Sequence, residues 1–224
     1  MSIEWILIMV IGVVGMLVQG RMQSVFGRYS REMLPGGLTG REVAERMLRE
    51  NGISDVRVVS TRGHLTDNYN PTDKTINLSE SVYGSRSISA AAVAAHETGH
   101  AIQDAEGYGA LRLRSALVPV INYSSRWSFV LILVGILVIN VFPIIFWLGI
   151  GMIGMSAIFS VVTLPVEINA SDRALKWLGR SGLLSETGKG QAREALKWAA
   201  LTYVVAALSA IATLIYYVGI ARRN

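Results

Sequence analysis

The sequence contains no cysteine, few histidines and little charge. Without cysteine, disulfide bonds and thiolate metal sites are excluded, so a transition metal would have to be bound by histidine, aspartate or glutamate. The chain has only three histidines, which leaves few possible members for a histidine-containing metal site. Charged residues make up 17% of the chain and apolar residues 51%. A soluble domain is about 25% charged, so this composition argues against an ordinary soluble protein.

The apolar residues are concentrated in long uncharged runs. Residues 127–166 contain no Asp, Glu, Lys or Arg, and these forty positions are too many for one membrane span of about 20 residues and enough for two. Further apolar runs lie near both ends of the chain. We therefore predict a mainly α, multi-pass membrane protein with about four transmembrane helices. The first lies in residues 1–20, two form a hairpin at 115–166, and the last lies in 198–219.

The basic residues predict how these spans are oriented. The net charge is +5, and nineteen of the twenty-one Lys and Arg residues lie in 20–126 and 167–197. Four spans place these two segments on one side of the membrane, which the positive-inside rule identifies as the cytoplasm. Arg222 and Arg223, on the other side, run against this bias. No Lys/Arg stripe is interleaved with aromatic residues, so nucleic acid is not an expected partner.

Between the first two predicted spans, residues 21–114 show the patterns of a small folded region. Thr39-Gly40-Arg41-Glu42 has the form of a capping box that starts a helix, and Gly52 is placed to end that helix. Residues 56–61 and 75–79 are typical of β-strands, and we expect them to form a short antiparallel hairpin. The second strand either only covers the following helix or offers its edge to a substrate backbone, and both interpretations stay open.

The alanine-rich stretch after the hairpin is predicted to be a helix over residues 88–105. It contains the pattern His-Glu-x-x-His, formed by His96, Glu97 and His100. Residues four apart on a helix share a face, so the two imidazoles can bind one metal ion while Glu97 acts on a water beside it. We interpret Gln103 as part of the helix surface.

A catalytic zinc site has three protein ligands and one open position, so a third ligand must be found by elimination. Asp104 lies about 12 Å from His96 along the helix axis, too far for both to share an ion with His100. Glu167 begins the polar segment 167–197 directly after the predicted membrane hairpin and has apolar neighbours, so we favour it. His64, in a polar turn, and other acidic residues remain alternatives.

This ligand set predicts the chemistry of peptide hydrolysis. Zinc lowers the pKa of a bound water to about 7, and Glu97 would take its proton and later deliver that proton to the leaving amine. A further donor should stabilise the oxyanion, for which Arg173 and Tyr69 are the candidates. Asn169 and Asp172 are candidates for orienting the histidines.

Six stretches of the chain match one family of proteins. They are His96–Gln103, Asp67–Pro71, Leu78–Ser79, Val82–Tyr83, Leu164–Glu167 and Ala199–Val204. On these residues the sequence resembles the YugP-type zinc metallopeptidases of bacterial membranes. The resemblance implies a multi-pass membrane peptidase with a small zincin-like α+β domain, distantly similar to HtpX-like and CAAX-prenyl endopeptidases. It also implies one Zn²⁺ per chain, with His96, His100 and Glu167 as ligands and Glu97 as the base.

The chain departs from these distant relatives at one position. They carry Glu-x-x-x-Asp, and their aspartate falls on Ser171 here, with Asp172 one place later. The sequence as a whole predicts a zinc-dependent membrane endopeptidase that cleaves membrane or juxtamembrane protein segments at the cytoplasmic face. A non-catalytic metal-binding scaffold and a metal transporter are the alternatives. Glu97 argues against the first, and ligands outside the predicted spans argue against the second. The expected partners are the lipid bilayer and a protein or peptide substrate.

Overall fold

The computed structural model describes residues 3–222. The first two residues of the predicted first span, and Arg223 at the C-terminal end, lie outside the described residues. The helices are α1 (Ile3–Tyr29), α2 (Gly40–Glu50), α3 (Glu80–Tyr83), α4 (Ile88–Ala105), α5 (Gly109–Leu137), α6 (Pro143–Arg180) and α7 (Glu186–Ala221). The strands are β1 (Arg57–Thr61), β2 (Asn68–Asn70) and β3 (Thr75–Ser79). The chain is mainly helical, as its composition predicts.

Four of the helices in residues 3–222 are long and apolar enough to cross a membrane. They are α1, α5, α6 and α7, and each contains a window of high mean hydropathy with few charges. The long uncharged run of the sequence is divided between α5 and α6, which are separated by a short turn before Pro143. The prediction of about four membrane-crossing helices is confirmed at this level of length and composition.

The chain divides into two compact units. The first contains the described parts of Met1–Val18, Arg112–Pro165 and Thr202–Asn224. Within it, Phe146 of α6 is 1% exposed and packs in a cluster with Ile132 of α5. Gly135 of α5 allows this packing, because a β-carbon there would lie 2.5 Å from the Phe146 Cα. Residues that cross a membrane need internally paired backbones, and helices provide this pairing.

The second unit comprises Gln19–Leu111 and Val166–Leu201. Its hydrophobic core collects buried apolar side chains from α2, β3 and α4 and from the C-terminal part of α6, among them Met47, Ile76 and Leu178. Burying such side chains removes apolar surface from water, which is the main favourable contribution to folding. Every predicted site residue of the sequence lies in this unit.

Helix α2 begins as its sequence predicts. The Thr39 side chain accepts a hydrogen bond from the Glu42 backbone N–H, and the Glu42 carboxylate accepts one from the Thr39 N–H at 2.7 Å. Two backbone donors that have no partner inside the helix are thereby satisfied. Gly52 follows the helix with φ of 70°, a left-handed conformation that glycine adopts without steric cost. The capping box and the glycine stop are confirmed.

The sheet differs from the hairpin that we expected from residues 56–61 and 75–79. Its strand order is β1-β3-β2, with β1 parallel to β3 and β2 antiparallel to β3. The antiparallel hairpin is therefore formed by β2 and β3, across the turn at 71–74. The loop 62–67 is long enough to carry the chain across the end of β3 before β2 begins. β3 is paired with β1 over residues 75–79 and with β2 over residues 75–77. The hypothesis that its edge accepts a substrate strand is therefore wrong for residues 75–77 and stays a prediction for Leu78 and Ser79 on the side of β2.

Helix α4 spans the predicted range, residues 88–105. Ser87 is its N-cap, with its hydroxyl oxygen accepting a hydrogen bond from the Ala90 N–H at 3.2 Å. Backbone hydrogen bonds from Leu34 to Arg86 and from Ile88 to Glu32 fix the segment that leads into the helix. Most of the helix is buried, and its many alanines leave room for neighbouring elements to approach closely.

Candidate metal centre

His96, His100 and Glu167 lie together. One ligand atom from each side chain lies within 4.8 Å of the others. The Glu167 Oε2 is 3.1 Å from the His96 Nε2 and 3.5 Å from the His100 Nε2. The Glu167 side chain is 2% exposed, and the histidine side chains are 13% and 6% exposed. Two imidazoles and one carboxylate, gathered in a mostly buried position, form a donor set that suits zinc.

A glycine brings the two helices that carry these side chains together. Gly99 lies between the histidines on α4, and a β-carbon there would lie 2.6 Å from the carbonyl oxygen of Ala170 on α6. It would also lie 3.1 Å from the Ala170 Cα. No larger residue fits at this crossing without displacing backbone. His96 and Glu167 lie about one turn from this crossing on their helices, and His100 directly follows Gly99. The small size of Gly99 and Ala170 therefore allows the three side chains to meet.

Gln103 is buried, so our interpretation of it as part of the helix surface is wrong. It is 0% exposed, and its amide nitrogen donates hydrogen bonds to the Val166 carbonyl oxygen at 2.8 Å and to the Asn169 Oδ1 at 2.9 Å. Its Oε1 is 3.0 Å from the His100 Nδ1. A buried glutamine with these contacts joins α4 to α6 beside the metal-ligand cluster.

The same contacts determine which nitrogen of His100 carries a proton. The Val166 carbonyl can only accept, so the nitrogen of the Gln103 amide faces it and the amide oxygen faces His100. An amide oxygen also only accepts, so the His100 Nδ1 must carry the proton. The Nε2 lone pair of His100 is then free to bind a metal on the side of Glu167. A hydrogen bond to the other ring nitrogen is the usual way in which proteins orient a histidine ligand.

Ser171 holds His96 in a similar way. Its hydroxyl oxygen is 3.1 Å from the His96 Nδ1, which leaves the Nε2 directed at Glu167. Ser171 is the position on which the aspartate of the distant relatives falls, and it lies one helical turn beyond Glu167. Asp172, which we had considered for this role, is exposed and pairs with Lys176 at 2.6 Å. The prediction that Asp172 orients a histidine is therefore wrong.

The electrostatics of the cluster fit a cation. With the Nδ1 of His100 protonated, its Nε2 lone pair faces a carboxylate oxygen only 3.5 Å away. In the neutral imidazole these two electron-rich atoms repel each other unless a proton or a metal ion lies between them. Glu97 is 8% exposed and follows His96 directly on α4, so a second mostly buried carboxylate is next in sequence to a member of the ligand set. The residues present therefore fit a bound divalent metal.

Comparison with known proteins agrees with this geometry. The family described as "Putative neutral zinc metallopeptidase" matches residues 4–222, nearly the whole chain. The chain belongs to this metallopeptidase family. It is also 43% identical over 200 residues to the "Putative membrane protease YugP" of Bacillus subtilis (strain 168), covering 89% of this chain and 88% of that protein. No solved structure shows a significant match.

Tyr69 contacts Asp104 and is not part of the metal-ligand cluster. Its hydroxyl donates to the Asp104 Oδ2 at 2.7 Å, and Lys74 donates to the same oxygen at 2.6 Å. Burial, the hydrogen bond to Asp104 and the negative charge of Asp104 raise the pKa of Tyr69. Tyr69 thus keeps its proton and uses it to join β2 to α4. Its role as an oxyanion donor stays a prediction that these contacts do not favour.

Arg173 is likewise bonded to residues outside the metal-ligand cluster. Two of its guanidinium nitrogens donate to the Glu106 carboxylate at 2.8 and 2.6 Å, and the third donates to the Asn169 Oδ1 at 2.8 Å. The Arg173 hydrogen bonds hold the pKa of Glu106 below its usual range despite the opposing effect of burial. Asn169 in turn accepts from Gln103, so Arg173 is connected to His100 through two side chains. Asn169 does not contact a histidine directly, which corrects the expectation that it orients one.

The remaining candidate ligand, His64, is exposed and is not part of the cluster. Sequence reasoning missed Gln103, although a signal was present. Gln103 lies seven residues, about two helical turns, after His96 and therefore shares the face of the ligands. A polar residue on a face already assigned to a metal site is better interpreted as a partner of the ligands than as surface.

Proposed function

We propose that the chain is a zinc-dependent membrane endopeptidase. The observation that carries the proposal is the meeting of His96, His100 and Glu167 within 4.8 Å in a buried position. Zn²⁺ bound there would supply a Lewis acid for the scissile carbonyl and lower the pKa of a coordinated water to about 7. These three residues would hold the ion, and the hydrogen bonds of Gln103 and Ser171 would orient the histidines toward it.

Glu97 is the general base of this proposal. Its carboxylate takes the proton of the attacking water and delivers that proton to the nitrogen of the leaving amine. Low exposure keeps the carboxylate away from bulk water, which strengthens its electrostatic interactions with the reacting groups. Family membership supports a peptidase role, and a scaffold or a transporter would have no use for a buried acid at this position.

Membrane or juxtamembrane protein segments are the proposed substrates. Glu167 belongs to α6, a helix long and apolar enough to cross a membrane. A site built in part from such a helix is suited to chains that emerge from the lipid bilayer. The excess of Lys and Arg in the segments that contain the site favours the cytoplasmic face.

Metal content and hydrolysis test the catalytic proposal. Purified protein should contain about one zinc per chain, and His96→Ala or Glu167→Ala should lose it. Glu97→Gln should keep the zinc while losing hydrolysis of a membrane substrate by about 10²- to 10⁴-fold. His64→Ala is the matched control for the metal and should retain the zinc. Zinc that persists in Glu167→Ala, or activity that persists in Glu97→Gln, would contradict the assignment.

Orientation can be tested separately, because the chain has no native cysteine to interfere. A Thr72→Cys variant reports on the turn between β2 and β3, and a Val141→Cys variant reports on the turn between α5 and α6. In intact cells, a membrane-impermeant maleimide should label Cys at 141 and should label Cys at 72 only after permeabilisation. The reverse pattern would place the site on the outer face.

A further inference from the structure

A groove of about 260 Å³ lies beside the N-terminal half of α4. Ser89 and Val93 line it from α4, Leu65 lines it from the loop after β1, and Phe26 lines it from the C-terminal end of α1. All of these residues belong to the second unit. None of them takes part in the metal-ligand cluster, so the groove is a feature separate from the cluster.

The groove and the metal-ligand cluster occupy the same face of α4. At 100° per residue, Ser89, Val93, His96 and His100 fall within an arc of about 60°. Val93 precedes His96 by about 4.5 Å along the helix axis. Side chains on a helix lean toward its N-terminus, so His96 and Glu97 lean toward the turn that contains Val93. A peptide held at the cluster would therefore have a neighbouring side chain at the groove.

Four polar side chains that line the groove, those of Asp67, Ser79, Ser81 and Ser89, are hydrogen-bonded within the protein, and the exposed imidazole of His64 lines it as well. Asp67 accepts hydrogen bonds from the Ser79 backbone N–H at 2.8 Å and from the Ser79 hydroxyl at 3.0 Å. The Ser81 hydroxyl is 3.1 Å from that of Ser79, and the Ser89 hydroxyl is 3.3 Å from that of Ser87. A polar or charged occupant would have to displace these bonds, whereas an apolar occupant would not. The chemistry of the groove thus favours an apolar side chain.

The size of the groove suits a large side chain. Cavities of about 150 Å³ already admit benzene, and this groove is larger. Its apolar walls include Phe26, Val82 and Val93. Burying a leucine or phenylalanine side chain against such walls favours binding by about tenfold or more over an alanine-sized side chain, because more apolar surface leaves water.

Leu65 adds an independent indication of function. Its φ is 58°, in the left-handed region that a branched side chain avoids, and the residue is 66% exposed at the groove. Strained conformations of this kind are concentrated at ligand-binding and catalytic positions. An exposed leucine held in a strained loop provides an apolar contact that a substrate side chain can cover.

We propose that this groove is a substrate subsite that takes a large apolar side chain, such as leucine, methionine or phenylalanine, next to the cleaved bond. The inference rests on the proposed peptidase function. Val93 and Leu65 are its specificity-determining residues. Val93 limits how deep a side chain can enter the groove, and Leu65 contacts that side chain at the rim of the groove.

The test uses a set of peptides identical except for one residue, which is Phe, Leu, Ala or Asp. Their binding is measured on zinc-loaded, full-length Glu97→Gln protein in detergent, and their cleavage on zinc-loaded wild type. Phe and Leu peptides should bind and react at least about tenfold better than the Ala peptide. Val93→Phe, made in both backgrounds, fills the groove and should reduce this ratio about tenfold or more without changing zinc content. Val141→Phe, the same exchange at a position 71% exposed, should leave the ratio as it is.

A second pair of variants applies if Val93→Phe does not fold. Val93→Ala enlarges the groove and should shift the preference toward the larger side chain, and Leu65→Ala should weaken binding of the Phe and Leu peptides. A peptide with a benzophenone side chain at the varied position should crosslink to loop 62–67 or to Val93. Crosslinks elsewhere, or a ratio that none of these variants alters, would overturn the subsite.

The two measurements separate the subsite from the peptidase function. Peptides that bind with the apolar preference but are never cleaved by wild type would support the groove and contradict the proposed function. Cleavage without any side-chain preference would support the function and contradict the groove. Absence of both binding and cleavage counts against both proposals.

Discussion

Gly99 of α4 faces Ala170 of α6 so closely that a β-carbon on Gly99 would lie 2.6 Å from the Ala170 carbonyl oxygen. This crossing lies between the two histidines on one helix and one turn beyond Glu167 on the other. Backbone contact at the crossing lets short side chains such as histidine and glutamate reach a common point. The geometry of the candidate metal centre therefore depends on the absence of a side chain at residue 99.

Replacing Gly99 with alanine should separate the two helices. Overpacking of this kind costs about 1–3 kcal/mol, so we expect lower thermal stability and weaker zinc binding in Gly99→Ala. Gly190→Ala in α7 is the matched control, because a β-carbon there meets nothing within 4 Å. Alanine is the better helix former by up to about 1 kcal/mol, so the control should be as stable as wild type or more stable. Zinc affinity is measured by competition with a chelator. Equal affinity in both variants would contradict the claim that the close contact of Gly99 with Ala170 positions the ligands.

Gln103 should contribute to zinc binding although it does not touch the metal. In Gln103→Leu the His100 Nδ1–H and the Asn169 side chain lose a buried partner, and the His100 ring loses its orientation. Loss of such an outer partner typically weakens metal binding about 10- to 100-fold. Gln23→Leu on exposed α1 surface is the control and should bind zinc as wild type does. Unchanged affinity in Gln103→Leu would show that His100 is positioned by its other contacts.

Ser171 should do for His96 what Gln103 does for His100. Ser171→Ala removes the hydroxyl 3.1 Å from the His96 Nδ1, and we expect about tenfold weaker zinc binding. Ser171→Asp supplies a carboxylate that accepts the Nδ1–H and should restore the affinity. The neighbouring Asp172→Ala is the control, since Asp172 is exposed and pairs with Lys176. A loss of affinity in Asp172→Ala that equals the loss in Ser171→Ala would favour the original sequence interpretation.

Local sequence patterns predicted the local structure well. The α4 range, the capping box at Thr39 and the glycine stop at Gly52 each depend on residues within a few positions of one another. These residues interact with backbone groups only a few positions away in the chain, so their partners can be predicted from the sequence alone. The uncharged runs were equally informative, because a long apolar helix needs no knowledge of its neighbours to be recognised.

Long-range contacts were harder to predict. The parallel pairing of β1 with β3 depends on where the loop between them carries the chain, and strand patterns alone do not contain that information. The partners of the histidines were also misjudged, since Gln103 and Ser171 are defined by the crossing of α4 with α6. Glu167 was identified because an acidic residue between apolar neighbours is not expected at the protein surface. This property of the local sequence indicated a contact with residues far away in the chain.

Tyr69 provides the sharpest test between a structural and a catalytic role. Tyr69→Phe removes the hydroxyl that donates to Asp104 and should lower the free energy of unfolding by about 1–2 kcal/mol. If Tyr69 instead stabilised the oxyanion, kcat would fall by about 10²- to 10³-fold. Tyr123→Phe, at a tyrosine that is 72% exposed, controls for loss of a phenolic hydroxyl as such. Measuring stability and kcat on the same preparations separates the two roles.

The pH dependence of stability adds a second signature of Tyr69. Burial, the hydrogen bond to Asp104 and the charge of Asp104 raise its pKa in the folded protein. The folded state therefore keeps the proton in a range where the unfolded chain has lost it, and stability falls as the pH rises. The contribution of Tyr69 is fully present below about pH 10, the pKa of an unperturbed tyrosine, and is lost progressively as the pH rises from there to the raised pKa of the folded state. Tyr69→Phe should lack this component of the alkaline decline, and an identical decline in wild type and variant would show that Tyr69 is not held by Asp104.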